Sequence, residues 1–369
     1  MILKKIFYNC VKSFPASRSS LKSTAVNNFL EYGNDNAFIN YITGRSDEES
    51  ERKRPKVEDI DVRIADLFDL VSGTSTGAII AFGLVVSDGK NRPKLRENEI
   101  VDIYGKERNP IFKYKGIVPR IIFKLPSFHY DHTGIGKLLY DYFDDKKITN
   151  STDDIVNDIK VVIPSYNITK SKRAFFANFD HIPEERQEMS YTIQGALMRE
   201  ALRASTAAPT YFQSAKIYHK NRAKDEKPDE FVDGGVFMNH PSFKAYSDAK
   251  RHFKKSPIVV CSFGAGFYKL TENLGNKTVG WIEPLISLFM AEESISNNIC
   301  METIANLDPK LTYYRLTTKL KDKIDLDSID EKDITNLKDK AKEIIENPRS
   351  KFEKLVEELS DHYIAKYNV

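Results

Sequence analysis

The chain has 369 residues, 41% apolar and 30% charged, which is enough for a sizeable buried core and an enzyme-scale fold. Its 56 basic and 53 acidic side chains leave a net charge of +3, so the global basic signature of a nucleic-acid binder is absent. Three scattered cysteines, Cys10, Cys261 and Cys300, are too few for a disulfide framework or a zinc cluster, and point to a reducing compartment with no structural metal.

In chain order, the first thirty residues carry Lys4, Lys5, Lys12, Arg18 and Lys22 with no acid before Glu31. That pattern suits an organelle transit peptide, and suits a disordered basic tail at least as well. The run at 43–61 is dense in charges of both signs and reads as a solvated linker, so residues 1–56 are taken as a flexible N-terminal segment. From Arg63 the pattern changes. IADLFDLVSG ends in an apolar run that reads as a buried strand, and TGAIIAFGLVV after it reads as a helix packed by Ala and Gly. The apolar run in this helix, 78–86, is about half of what a bilayer-spanning helix needs. Further buried strands are expected near 158–167, 174–179 and 257–266, with helical stretches such as 193–205 between them. Alternation of this kind predicts an α/β fold: a three-layer sandwich whose mainly parallel central sheet is covered by helices on both faces, over residues 57–270. Residues 271–369 read as a mostly helical C-terminal extension, with apolar residues at three- and four-residue spacing among Lys and Glu at 332–367.

The strongest chemical signal is Gly73-Thr74-Ser75-Thr76-Gly77, a G-x-S-x-G sequence placed between the expected strand and helix. In that context Ser75 would sit on a strained turn as a nucleophile, with Gly73 and Gly77 lacking the Cβ atoms that would collide where strand and helix close up. The helix start aims free N–H groups, that of Thr76 foremost, at a developing oxyanion. A second signal is EFVDGGVFMNHP at 230–241, where Asp233 follows a short apolar run and precedes Gly234 and Gly235. An Asp bonded directly to Ser75 could take its proton without an imidazole, provided that desolvation raises its basicity. His240 and His252 follow Asp233, so the order Ser, Asp, His is formally available, but His240 in its N-H-P turn and His252 in a Lys/Arg-rich helix read as polar surface residues.

Together DVRIADLFDLVSGTSTGAIIAFGL, ASTAAPTYFQ at 204–213 and FVDGGVFMNHP resemble the patatin-like phospholipases over about residues 60 to 266. The resemblance implies a Ser–Asp dyad carried onto Ser75 and Asp233, lipid acyl hydrolysis of the phospholipase A or esterase type, no cofactor and no metal. Ser205 in the second segment is a rival nucleophile, but no strand-turn-helix frames it, so it is expected to pack or cap near the site. One departure stands out: residues 1–72 contain only Gly33 and Gly44, so the family's D-G-G-G oxyanion loop ahead of the nucleophile is absent. Three explanations follow, in this order: a truncated or mis-spliced coding region, a catalytically silent lipid- or protein-binding module, or another segment supplying the donors.

Between residues 106 and 124, Lys106, Arg108, Lys113, Lys115, Arg120 and Lys124 face the single acid Glu107, with Ile, Phe, Tyr and Val interleaved. Such a segment suits an anionic lipid surface, and suits a solvated loop equally well. The expected partners are therefore a phospholipid or other acyl lipid and a peripherally touched membrane, with no nucleic acid, at an intracellular, cytoplasmic or peripheral-membrane location.

Overall fold

The computed structural model describes residues 62–103, 111–112, 130–180, 182, 187–218, 227–268, 282–321, 324–328, 330–346 and 351–367. The N-terminal segment, the linker at 43–61 and the six cations from Lys106 to Lys124 lie outside the described residues.

The fold is α/β. Among the described residues its main sheet has six strands: β1 (Leu70–Ser72), β2 (Lys160–Asn167), β3 (Lys172–Ala177), β4 (Ser190–Ile193), β5 (Ala215–Ile217) and β6 (Asp229–Asp233). The order is β4-β3-β2-β6-β5, with β1 paired to β2. Alternate residues of β2 serve two cores: Val161 and Ile163 join Phe176 and Phe231 on one face, and Val162 joins Phe175, Ala177 and Phe179 on the other. On the first face lie the helices α1 (Thr76–Val85), α3 (His132–Phe143) and α4 (Met198–Ser205), with α2 (Glu97–Asp102) against α1. Gly83 of α1 makes room for α2, since a Cβ there would meet Ile100 at 3.0 Å. α5 (Ser242–His252) packs against β1 from the opposite side.

The expectation of a mainly parallel sheet is corrected to a mixed one. β1 pairs with β2 and β3 with β4 in parallel, while β2 pairs antiparallel with β3 and with β6, and β5 antiparallel with β6. The reason lies in the connections. Residues 168–171 are too few for a crossover helix, so β2 and β3 must form a hairpin. Its turn is tied by Lys170 N–H donating to Asn167 Oδ1 at 3.0 Å, with Ser171 at φ 53°.

β7 (Ile258–Phe263) and β8 (Leu311–Leu316) form a separate parallel pair. α6 (Ile282–Leu307) connects them, and α7 (Glu331–Glu346) and α8 (Phe352–Tyr367) follow. The chain on both sides of residue 270 therefore builds one small sheet, and the C-terminal stretch, expected to be helical, also contributes a strand. Among the described residues no helix is long and apolar enough to cross a membrane.

Candidate active site

β1 and β6 share one edge of β2 and meet end to end along it. β1 runs parallel to β2 and stops where Ser72 faces Val162; β6 runs antiparallel and stops where Asp233 faces Ser165. The turns leaving both strands thus converge beside Pro164, which brings Ser75 and Asp233 together although they are distant in the chain.

Ser75 sits at the N-cap of α1 with φ 55° and ψ −122°, a conformation that costs a non-glycine residue about 1–3 kcal/mol and survives only where neighbours enforce it. Three contacts enforce it. A Cβ on Gly73 would lie 2.0 Å from the Gly77 carbonyl oxygen, so only glycine lets the strand end touch the helix start. The Thr74 hydroxyl donates to the Met238 carbonyl at 2.8 Å, tying the elbow to the aspartate loop. The Ser75 N–H donates to Ser205 Oγ at 3.2 Å, and that hydroxyl donates to the Pro164 carbonyl at 2.8 Å. Ser205 is therefore fully buried with its donor and acceptor both engaged, in the packing role expected for it. The expectation for Gly77 is corrected: a Cβ there meets nothing among the described residues within 4 Å. Thr76 is exposed, and among the described residues its N–H has no hydrogen-bond acceptor.

Asp233 is buried, and its Oδ1 accepts the Gly235 N–H at 2.7 Å. A Cβ on Gly234 would stand 2.4 Å from the Pro164 oxygen, so the aspartate loop, like the elbow, reaches its place through a glycine. Burial raises the Asp233 carboxyl from 3.8 to about 6, while the Ser75 hydroxyl and the Gly235 N–H pull it down. Oδ2 is buried with no partner that meets full hydrogen-bond geometry, so the Ser75 hydroxyl acts on the carboxylate from close by without closing a good bond. Such pairs often tighten only when substrate is bound. A cavity of about 400 Å³ between Phe179, Asp180 and the C-terminal part of α5 does not border either residue.

The expectation that His240 lies at the surface is corrected. His240 is buried, with Nδ1 3.1 Å from the Ser294 carbonyl and Nε2 2.8 Å from both the Ser242 and Ser262 hydroxyls. Burial, and then Arg315, lowers its pKa to about 4. Its ring hydrogen bonds go to these partners rather than to Ser75 or Asp233. His252 is exposed and lies against the rings of Phe179 and Phe253.

Sequence reasoning read 271–369 as mostly helical but gave α6 no part in the site. Its Met290 lies over Gly235, where a Cβ would approach Cε at 2.7 Å, and its Glu293 accepts the His240 N–H at 2.9 Å. The i, i+4 pair of Glu293 and Asn297 is the local trace of this polar face.

A family model described as patatin-like phospholipase matches residues 56–245, more than half of the chain, including Ser75, Asp233 and the turns that carry them. The chain belongs to the patatin-like phospholipases. The family takes its description from phospholipase activity. Patatin-like protein 2 of Oryza sativa subsp. indica is 28% identical over 222 residues, covering 58% of this chain and 50% of that protein. Patatin-like protein 3 of Arabidopsis thaliana is 28% identical over 218 residues, covering 54% and 46%. Calcium-independent phospholipase A2-gamma of Rattus norvegicus is 27% identical over 302 residues, covering 80% of this patatin-like chain and 36% of that protein. The chain spans half or less of the length of these relatives.

Proposed function

We propose that this chain hydrolyses fatty-acyl esters of phospholipids or other acyl lipids, with Ser75 as nucleophile and Asp233 as its base. The observation that carries the reading is the strained Ser75 hydroxyl set beside a buried carboxyl whose pKa is raised to about 6. A base of that strength is ionised at neutral pH and still takes a proton readily. Asp233 accepts the Ser75 proton as Oγ attacks the ester carbonyl, and the oxyanion that forms meets the Thr76 N–H and the positive end of α1. Collapse expels the alcohol, which leaves with the proton held by Asp233. Asp233 then deprotonates a water that attacks the acyl-enzyme, freeing the fatty acid and restoring Ser75. The cation-rich segment from Lys106 to Lys124 would hold the protein on an anionic lipid surface from an intracellular, cytoplasmic or peripheral-membrane location. Ser75→Ala tests the reading: hydrolysis of a phospholipid vesicle or a short-chain ester should vanish, and an unchanged rate would contradict it.

A second reading is favoured by one observation, the lack of a D-G-G-G loop in residues 1–72. Loss of a single oxyanion donor typically costs about 10²–10³ in rate, so a chain without that cradle would keep the fold as a lipid- or protein-binding module. Stoichiometric labelling of Ser75 by a fluorophosphonate would argue against this second reading.

A further inference from the structure

The loop that carries Asp233 is anchored to α6 at several points. Met290 caps Gly235 from this helix, and the Asn239 amide donates to the Met290 carbonyl at 3.1 Å. The His240 N–H donates to Glu293 Oε2 at 2.9 Å, the Asn239 N–H favours the charged form of the same carboxylate, and His240 Nδ1 faces the Ser294 carbonyl at 3.1 Å. Asn297, one turn on, donates to the other Glu293 oxygen. A loop of glycines has little rigidity of its own, since Gly234 and Gly235 have no side chains to pack. Its geometry must come from what holds its far end, and a carboxylate accepting successive backbone N–H groups is a strong fastener because the bonds are charge-assisted. α6 lies beyond residues 56–245, so family membership does not assign it this part.

We propose that Glu293 is a positioning residue, which holds the 234–240 loop so that the Asp233 carboxylate is aimed at Ser75. The inference rests on the Ser75–Asp233 reading and adds α6 to its machinery. Among the described residues, the charged and titratable groups facing Glu293 are Arg315 of β8 and His240 of the loop. Burial raises Glu293 from 4.5 to about 7, against the pull of the His240 and Asn239 N–H groups, Asn297 and Arg315. As the pH falls through that value the carboxylate gains a proton and loses an acceptor oxygen, so the fastener slackens while His240, lowered to about 4, stays neutral.

The experiment measures hydrogen exchange and ester hydrolysis on the full chain for the wild type, Glu293→Ala, Glu293→Gln and Ser75→Ala. In Glu293→Ala the amides of Asn239 and His240 should exchange at least about tenfold faster, and kcat should fall about 10- to 100-fold with KM nearly unchanged. Glu293→Gln, which keeps an acceptor oxygen, should retain loop protection and most of kcat at pH 8. It should also lose the drop in kcat on acidification through about pH 7 that is expected of the wild type in addition to the Asp233 limb. Unchanged exchange in Glu293→Ala overturns the anchoring whatever the activity. Faster exchange with an unchanged kcat, or a wild-type pH profile in Glu293→Gln, overturns the positioning role. If the wild type hydrolyses no faster than Ser75→Ala, the hydrolase reading falls and the positioning role falls with it, while the exchange data still report the anchor.

Discussion

Burial holds the Asp233 carboxyl near 6 although the Ser75 hydroxyl and the Gly235 N–H favour its charged form. A carboxyl with a higher pKa folded than unfolded binds its proton more tightly in the folded state. Its contribution to stability is therefore full below 3.8 and is lost as pH rises through about 6, and above that the buried charge costs on the order of 3 kcal/mol. Asp233→Asn keeps an oxygen for Gly235 and removes the charge. It should raise the thermal midpoint at pH 8, raise it less at pH 5, and cost about 10²–10⁴ in hydrolysis. Thermal melts at the two pH values, set beside a rate measurement, check both halves. In the wild type, kcat/KM should rise with pH through about 6 for Asp233 and again through about 7 for Glu293 before it levels off, two limbs that a pH–rate profile would reveal.

At the scale of elements, the turn between β1 and α1 depends on one glycine more than on the other. Gly73→Ala forces a Cβ against the Gly77 carbonyl, which is backbone and cannot swing aside, so the elbow must open and the strain at Ser75 is lost with it. Gly77→Ala meets open space at the second position of α1, where alanine favours a helix by up to about 1 kcal/mol. Urea denaturation should show Gly73→Ala less stable by about 2 kcal/mol or more, and Gly77→Ala equal to or more stable than the wild type. The G-x-S-x-G pattern treats the two glycines alike; the packing does not. The same scale explains the mixed sheet. Alternating and continuous apolar runs mark strands, but they carry no information on the direction of a neighbour, which the short 168–171 connection settles for β2 and β3.

For the whole molecule, the C-terminal helix is bound to the stem of the nucleophile. Lys366 lies 3.0 Å from Asp69 Oδ1 and donates to the Phe68 carbonyl at 3.1 Å, and His362 lies 3.1 Å from Asp69 Oδ2. Burial pushes the Asp69 carboxyl up, and His362 and Lys366 together outweigh it and hold the group at about 2. Phe352, Leu355 and Val356 of α8 are buried against Tyr314 and Leu316 of β8. Each such side chain contributes about 1.5–3 kcal/mol, so the three rival the 5–15 kcal/mol that stabilises a typical domain. A chain ending before α8 should therefore lose cooperative unfolding and aggregate, which thermal denaturation and size-exclusion chromatography would detect.

What could be read from the chain alone was whatever is local. The elbow is a property of five residues between a strand and a helix, and the aspartate motif is a property of one strand end, so Ser75 and Asp233 were both legible. Their meeting was legible only through the family resemblance, not from spacing or periodicity. It requires β1 and β6 to share one edge of β2 and stop on either side of Pro164, a matter of long-range register that no window along the sequence contains. His240 read as surface and proved buried, because burial depends on the helix that covers a turn, and α6 arrives from some fifty positions away. Spacing and side-chain chemistry determined which groups could react; tertiary packing, which joins segments whose separation leaves no periodic trace, decided which of them face one another.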